Sequence, residues 1–226
     1  MQTAPTFDQI WEEHQAAGRH LARYPWDAVV TFVFRYAPRD RHRDSVRILE
    51  VGCGAAPNLW FAAREGFAVA GIDASPPAIE AAKARFAEDG LAGDLRVGDF
   101  TSLPFADRSF DLAIDRAALV CCGASAARLA VSEVARVLRP GGFFFFNPYA
   151  ADHTSASSGE PGPDGLRLGV DRGAAVGIGQ LCFYDRAMVD ELFAVRWRLA
   201  SVQHMTIVDD LDSSVHAEWR VVAERL

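Results

Sequence analysis

No Cys-x-x-Cys pair and no Cys-x-x-Cys…His-x-x-x-His pattern occurs in the chain, whose four cysteines are scattered as Cys53, Cys121, Cys122 and Cys182. A zinc site therefore has no support, and no metal is expected. The scatter suits buried, reduced thiols, and adjacent Cys121 and Cys122 read as small apolar packing residues rather than a redox pair. Long apolar runs are missing too. The most hydrophobic stretches, such as Gly142 to Phe146, are far too short to span a bilayer. The N-terminus reaches Asp8, Glu12 and Glu13 without an apolar run, so the expectation is no signal peptide, no membrane partner and a cytoplasmic location. Excess positive charge is also absent. A formal charge of −7 repels phosphate backbones and disfavours nucleic acid as a partner. The one concentrated basic stretch, Arg39 to Arg47, contains Asp40 and Asp44 and reads as a solvated linker.

What is present is globular. Half of the 226 residues are hydrophobic and 23% are charged, enough for a substantial core. The length fits one domain with additions. Phe7, Ile10, Trp11 and His14 recur at helical spacing between Thr6 and Ala17, and Gly18 ends that helix. A second helix starts near Pro25 and stops before Pro38. From Val46 onward strands and helices alternate. Arg47 to Val51, Ala68 to Ile72, Leu95 to Val97, Phe110 to Ile114 and Gly142 to Asn147 read as strands. Asn58 to Arg64, Pro76 to Glu88 and Ala124 to Leu138 read as helices, with Ser75 as an N-cap. This alternation predicts a doubly wound, mostly parallel sheet in which ligands sit at the carboxyl ends of the strands. The unbroken run Phe143 to Phe146 fits a strand covered on both faces. Tyr149 to Gly179, rich in Gly, Ser, Pro and Asp, breaks the rhythm as an insertion, read either as a lid or as a surface loop. Order resumes with a helix from Arg186 to Phe193. Strands from Trp197 to His204 and from His216 to Ala223 then form a C-terminal antiparallel pair around the turn Asp209-Asp210-Leu211-Asp212.

A glycine turn after the first strand lets the backbone approach a ligand. A dinucleotide site calls for G-x-G-x-x-G, but Gly52-Cys53-Gly54-Ala55-Ala56-Pro57 puts a proline, with no N–H, at the third position. Asp73 ends the second strand, where it can accept from two ribose hydroxyls. Asp99 follows the third strand, suited to an adenine amino group. Glu50 and Asp115, at the ends of strands one and four, add negative charge for a cationic ligand. Taken singly, Asp73 also fits a helix N-terminal acid and Asp99 a turn residue.

Leu49-Glu50-Val51-Gly52-Cys53-Gly54, Gly71-Ile72-Asp73, Gly98-Asp99-Phe100, Leu103 to Asp111 and Leu138-Arg139-Pro140-Gly141-Gly142 together resemble the ordered motifs of the class I S-adenosylmethionine-dependent methyltransferases, small-molecule type. The resemblance covers roughly Val46 to Asn147. It implies a Rossmann-like α/β fold, S-adenosylmethionine as cofactor, and methyl transfer to an N or O nucleophile of a small molecule. The cofactor-binding residues it implies are Glu50, Gly52, Cys53, Gly54, Asn58, Asp73, Ala74, Ser75, Asp99, Phe100 and Asp115. Ala56 departs from the pattern, since the family often has another glycine there. Residues 1–44 are expected to be a helical extension covering the active site. Residues 45–226 are expected to be the catalytic domain, with its substrate-side insertion at about 149–179.

The candidate catalytic residues are Asp115, Arg116, His153, His204 and His216. Asp115-Arg116 resembles a tract of thiopurine-type enzymes, which implies a substrate-anion contact for Arg116; a salt bridge with Asp115 or a nearby acid is the alternative. His204 and His216 are expected at adjoining strand ends, with His153 reaching the same edge as a possible base, though each also fits a structural role. Tyr24 and Trp26 either close over the cofactor or, for Trp26, pack on the sheet. Asn147-Pro148-Tyr149 is similar to the Asn-Pro-Pro-Tyr motif of amino-methyltransferases, but it follows strand five with one proline and does not match. A nicotinamide-dependent oxidoreductase and a non-catalytic protein retaining the fold are the competing readings.

Overall fold

The computed structural model describes residues 7–19 and 22–226. Helices α1 (Ile10–Ala16) and α2 (Asp27–Tyr36) precede β1 (Arg47–Val51), α3 (Pro57–Arg64), β2 (Ala68–Asp73), α4 (Pro76–Glu88), β3 (Asp94–Val97) and β4 (Phe110–Arg116). Next come α5 (Ala124–Val137) and β5 (Leu138–Asn147), and the short strands β6 (Glu160–Pro161), β7 (Leu166–Leu168) and β8 (Leu181–Cys182). The chain closes with α6 (Arg186–Leu192), β9 (Trp197–Val208) and β10 (Val215–Arg225). The first helix is shorter than the sequence spacing implies, and Thr6 lies outside the described residues.

The main sheet has the order β3-β2-β1-β4-β5-β10-β9. Strands β1 to β5 pair in parallel, while β10 runs antiparallel to both β5 and β9. This is the Rossmann-like arrangement expected from the alternation of elements. Alternate residues of each central strand enter opposite cores, as the two-residue period requires. Leu49, Val51, Phe144 and Phe146 join the core under α5 and α6. Ile48, Leu112 and Phe145 join the core under α2, α3 and α4. Burial of each such side chain is worth roughly 1.5–3 kcal/mol, so both layers are firmly held.

Helix α4 begins as the sequence predicts, with the Ala78 N–H donating to Ser75 Oγ at 3.4 Å. The turn Arg139–Gly142 falls inside β5, where the ladder to β4 slips between Phe110 and Leu112. The C-terminal pair differs from expectation in length. β9 runs on through Met205–Val208, so His204 sits mid-strand opposite Trp219, and His216 faces Ile207. Nothing in Met205-Thr206-Ile207-Val208 breaks a strand, and the chain turns only at the aspartates.

The insertion is tied to the body of the domain. Ser155 Oγ donates to the Arg172 carbonyl and accepts from the Ala175 N–H, while Asp164 accepts from Ser125 at the start of α5. Strands β6, β7 and β8 form a small antiparallel sheet within this region.

Candidate functional site at the strand ends

Strand order reverses at β1, whose successor in sequence lies on one side and β4 on the other. The splayed carboxyl ends there open into a cavity of about 560 Å³. Its floor is the β1 turn. Gly52 and Gly54 both have left-handed backbone, with φ of 63° and 54°. A methyl group on Gly52 would stand 2.1 Å from Ala118 Cβ in the turn after β4. Gly52→Ala combines that clash with an unfavourable φ, so a loss of roughly 3 kcal/mol and a fall in Tm of about 10 °C are expected by calorimetry. Ala56 also has φ of 54°, a backbone region that glycine occupies at lower cost.

Asp73 fastens this turn. Its Oδ2 accepts from the Gly54 N–H at 2.8 Å and its Oδ1 from the Ser75 N–H at 2.9 Å. A carboxylate has about four acceptor sites, so each oxygen keeps one lone pair for a ligand hydroxyl. Burial raises the Asp73 pKa, opposed by the Ser75 and Gly54 donors.

Glu50 ends β1 and is only 2% exposed. Asn58 donates to its Oε1 at 2.7 Å, and the Asn58 amide oxygen accepts from the Trp26 N–H. Glu50 Oε2 has no partner although the residue lines the cavity. Burial pushes the Glu50 carboxyl up to about 8, with Asp115 and Asp73 adding to the rise. Asp115 is fully buried, and its Oδ1 accepts from the Ala118 and Leu119 N–H groups. Burial lifts it to about 6 against those donors. Asp115 thus shapes the turn carrying Arg116, Ala117 and Ala118 and is not itself among the lining residues.

Cys53, Asn58, Ala74, Ser75 and Phe100 line the cavity with Gly52, Gly54, Glu50 and Asp73. Asp99 does not line it; its Oδ1 accepts from the Thr101 N–H and hydroxyl, both at 2.7 Å. Arg116 does, with its guanidinium 4.0 Å from the centre of the Trp26 ring and 3.6 Å from Glu218. Of the two alternatives, Asp115 or another nearby acid, the one that approaches Arg116 is the second, Glu218 of β10.

The histidines stand elsewhere. His153 Nδ1 accepts from the Ser155 N–H, so its Nε2–H points to His216 Nδ1 at 3.3 Å. His216 Nε2 in turn faces Glu218 at 3.6 Å. Burial and His216 push His153 down to about 4. This pair packs behind Tyr149, outside the cavity wall. His204 pairs with Asp152 at 2.9 Å and stacks on Trp219. None of the three faces the cavity, because the longer β9 carries His204 away from the strand end and Tyr149 screens the other two.

Several lining residues escaped the sequence reading. Phe7, Asp8, Trp11 and Gln15 form a roof with Ile178 from the insertion. The roof is latched where the Gln180 N–H donates to Asp8 Oδ2 and where His14 Nε2 donates to the Gly177 carbonyl. Trp26 stands at the cavity, 46% exposed, rather than against the sheet, while Tyr24 is 70% exposed and does not line it. Tyr149 lines the cavity although its tract matches no motif. An isolated bridge to Glu218 fixes its backbone there.

Residues 48–142 match a family model described as a methyltransferase domain. The chain is 36% identical over 107 residues to a botryococcene C-methyltransferase from Botryococcus braunii, covering 46% of this chain and 28% of that enzyme. It is 34% identical over 110 residues to a malonyl-acyl-carrier-protein O-methyltransferase from Erwinia pyrifoliae, covering 47% of this chain and 38% of that enzyme. The similar stretch thus spans less than half the length of either relative. Among solved structures, a protein from Methanosarcina mazei described as an S-adenosylmethionine-dependent methyltransferase has the same fold, with a TM-score of 0.70 at 20% identity. That likeness covers 90% of this chain and 99% of the other.

Proposed function

We propose that this chain, whose residues 48–142 match a methyltransferase-domain model, is a class I S-adenosylmethionine-dependent enzyme that transfers a methyl group from S-adenosylmethionine to a small-molecule acceptor. The observation that carries this reading is the β1 turn bonded to Asp73 beside the unpartnered Glu50 oxygen, all on one cavity floor. The residues fit the cofactor. Gly52 and Gly54 leave room for its methionine portion, the spare acceptor sites of Asp73 suit ribose hydroxyls, and Phe100 offers a face to adenine. Ala74 and Ser75 line the same side, and Glu50 supplies negative charge for a cationic ligand. Pro57 opens α3 and has no N–H to offer a pyrophosphate, which argues against a nicotinamide dinucleotide.

The cofactor, when bound, supplies a methyl group already activated by its sulfonium leaving group. The chain's task is then alignment and exclusion of water, for which orientation can contribute about 7–11 kcal/mol. Trp11, Trp26 and Ile178 enclose the cavity for that purpose. An N or O acceptor that carries a proton must also lose it, and none of His153, His204 and His216 is placed to take it directly. His153 and His216 buttress Tyr149 and Glu218 instead, and Asp115 sets the turn from which Arg116 projects. Asp99, whose Oδ1 accepts from Thr101, is proposed to reach the adenine amino group from beside Phe100.

The test is calorimetric titration with S-adenosylhomocysteine and with NADH, followed by incubation with methyl-labelled cofactor and a metabolite extract. Micromolar binding of S-adenosylhomocysteine and label in a small molecule are expected. Preference for NADH would overturn the reading, and binding without transfer to any metabolite would reduce it to a cofactor-binding protein.

A further inference from the structure

The charged residues lining the cavity are of both signs. Asp8, Glu50 and Asp73 are acidic, and among the described lining residues Arg116 is the one cation. Its side chain is 10% exposed. Glu218 is an incomplete partner for it. The close bond of Glu218 goes to Arg220 Nε at 2.8 Å, while its other oxygen is shared by Arg116 and His216, each at 3.6 Å. At that distance Glu218 balances the Arg116 charge without saturating its five fork-like donors. Stacking on Trp26 fixes the plane of the guanidinium. Beside Glu218 the guanidinium also meets the Tyr149 hydroxyl, and an arginine held flat and buried with donors to spare is suited to two parallel hydrogen bonds with a carboxylate. Around it stand Phe7, Trp11, Trp26, Phe100 and Tyr149, giving the cavity aromatic walls.

We propose that the methyl acceptor is a small planar aromatic acid, with its carboxylate on Arg116 and its ring between the tryptophans and Tyr149. A ring hydroxyl or amine forms the new bond to the methyl carbon as the carbon–sulfur bond breaks; S-adenosylhomocysteine leaves as a neutral thioether, and the acceptor's proton passes to solvent. Methylation of this acid rests on the methyltransferase reading; the anion site itself does not. Arg116 favours a carboxylate beside it, whereas Asp73, at the end of β2, disfavours one. Glu218 acts as a positioning residue, holding Arg116 from behind with the His216 and Arg220 contacts fixing Glu218 in turn. A carboxylic acid arrives ionised, so its recognition needs no base in the cavity.

The test uses the whole chain and three probe pairs: 4-hydroxybenzoate, indole-3-acetate and phenylacetate, each against its carboxamide. Calorimetry is run with and without saturating S-adenosylhomocysteine. At least one acid is expected to bind ten-fold or more tightly than its amide, with Arg116→Gln abolishing the preference and Arg116→Lys keeping part of it. The melting temperature of each variant is measured alongside, and the lysine variant serves if the glutamine variant does not fold. Equal binding of acids and amides, absence of binding by every acid, or an unchanged preference in Arg116→Gln would overturn the proposal. Titration of S-adenosylhomocysteine alone separates the two questions: its failure removes the methyltransferase reading, while an acid preference measured without it leaves the anion site standing.

Discussion

Replacing Asp73 by alanine is expected to weaken S-adenosylhomocysteine binding by roughly 100-fold while leaving a folded protein. Two hydrogen bonds from ribose hydroxyls to a carboxylate, at about 1.5 kcal/mol each, account for a factor of that size. The variant also frees the Gly54 N–H, which now donates to Asp73 Oδ2, so the β1 turn loses the contact that holds it against β2. The stability cost is smaller than two lost bonds would imply, because burial already disfavours the ionised carboxyl, raising its pKa. Ser75 still caps α4 through its own hydroxyl, so the following helix keeps its start. Asp73→Asn, with one acceptor oxygen in place of two, should fall between alanine and wild type. Calorimetric titration decides the matter, and an unchanged affinity in the alanine variant would remove Asp73 from the binding site.

The turns proposed to hold the cofactor were legible in the sequence because they are built locally. Gly52, Gly54, Asp73 and Ser75 belong to successive strand-to-helix turns, and the parallel sheet brings such turns together whatever the side chains nearby. The run Phe143 to Phe146 announced its own burial on two faces for the same reason. The rest of the cavity depends on contacts between distant segments. His14 meets Gly177 across 163 positions, and Arg116 meets Glu218 only because β10 lies beside β5 in a particular register. The amphipathic spacing of Phe7 and Trp11 was visible, but its counterpart, the Gly177–Gln180 stretch, carries no periodicity that names a partner. Trp26 shows a subtler limit. Its ring is held at the cavity by Arg116 stacking and by the Asn58 bond to its backbone, neither of which local pattern encodes. His204 was misplaced by a boundary alone, since four further residues of β9 move it from strand end to strand middle.

Glu50→Gln should stabilise the protein above pH 5, by a margin that grows toward pH 8, and should weaken its hold on a cationic ligand. In the unfolded chain Glu50 releases its proton near 4.5, whereas in the folded protein it holds it to about 8. Between those values the folded state binds more protons than the unfolded one, so stability falls as pH rises. Below the lower value both forms are protonated and the group contributes nothing; above the upper value the penalty is complete, on the order of 5 kcal/mol. Glutamine removes that titration, and its oxygen can still accept from Asn58, now bonded to Glu50 Oε1. Wild-type and variant melting temperatures should therefore coincide near pH 4 and separate steadily toward pH 8. Ligand binding carries the opposite sign. A bound sulfonium or ammonium favours the ionised carboxyl, so wild-type affinity for S-adenosylmethionine should rise toward pH 8 with release of a proton, measurable as a dependence of binding heat on buffer ionisation. The variant should bind more weakly and lose that dependence. Parallel pH profiles for the two proteins would show that Glu50 is ionised throughout and that its buried position serves packing alone. Divergent profiles would mean that the unpartnered oxygen is maintained at a cost to the fold because the ligand needs its charge.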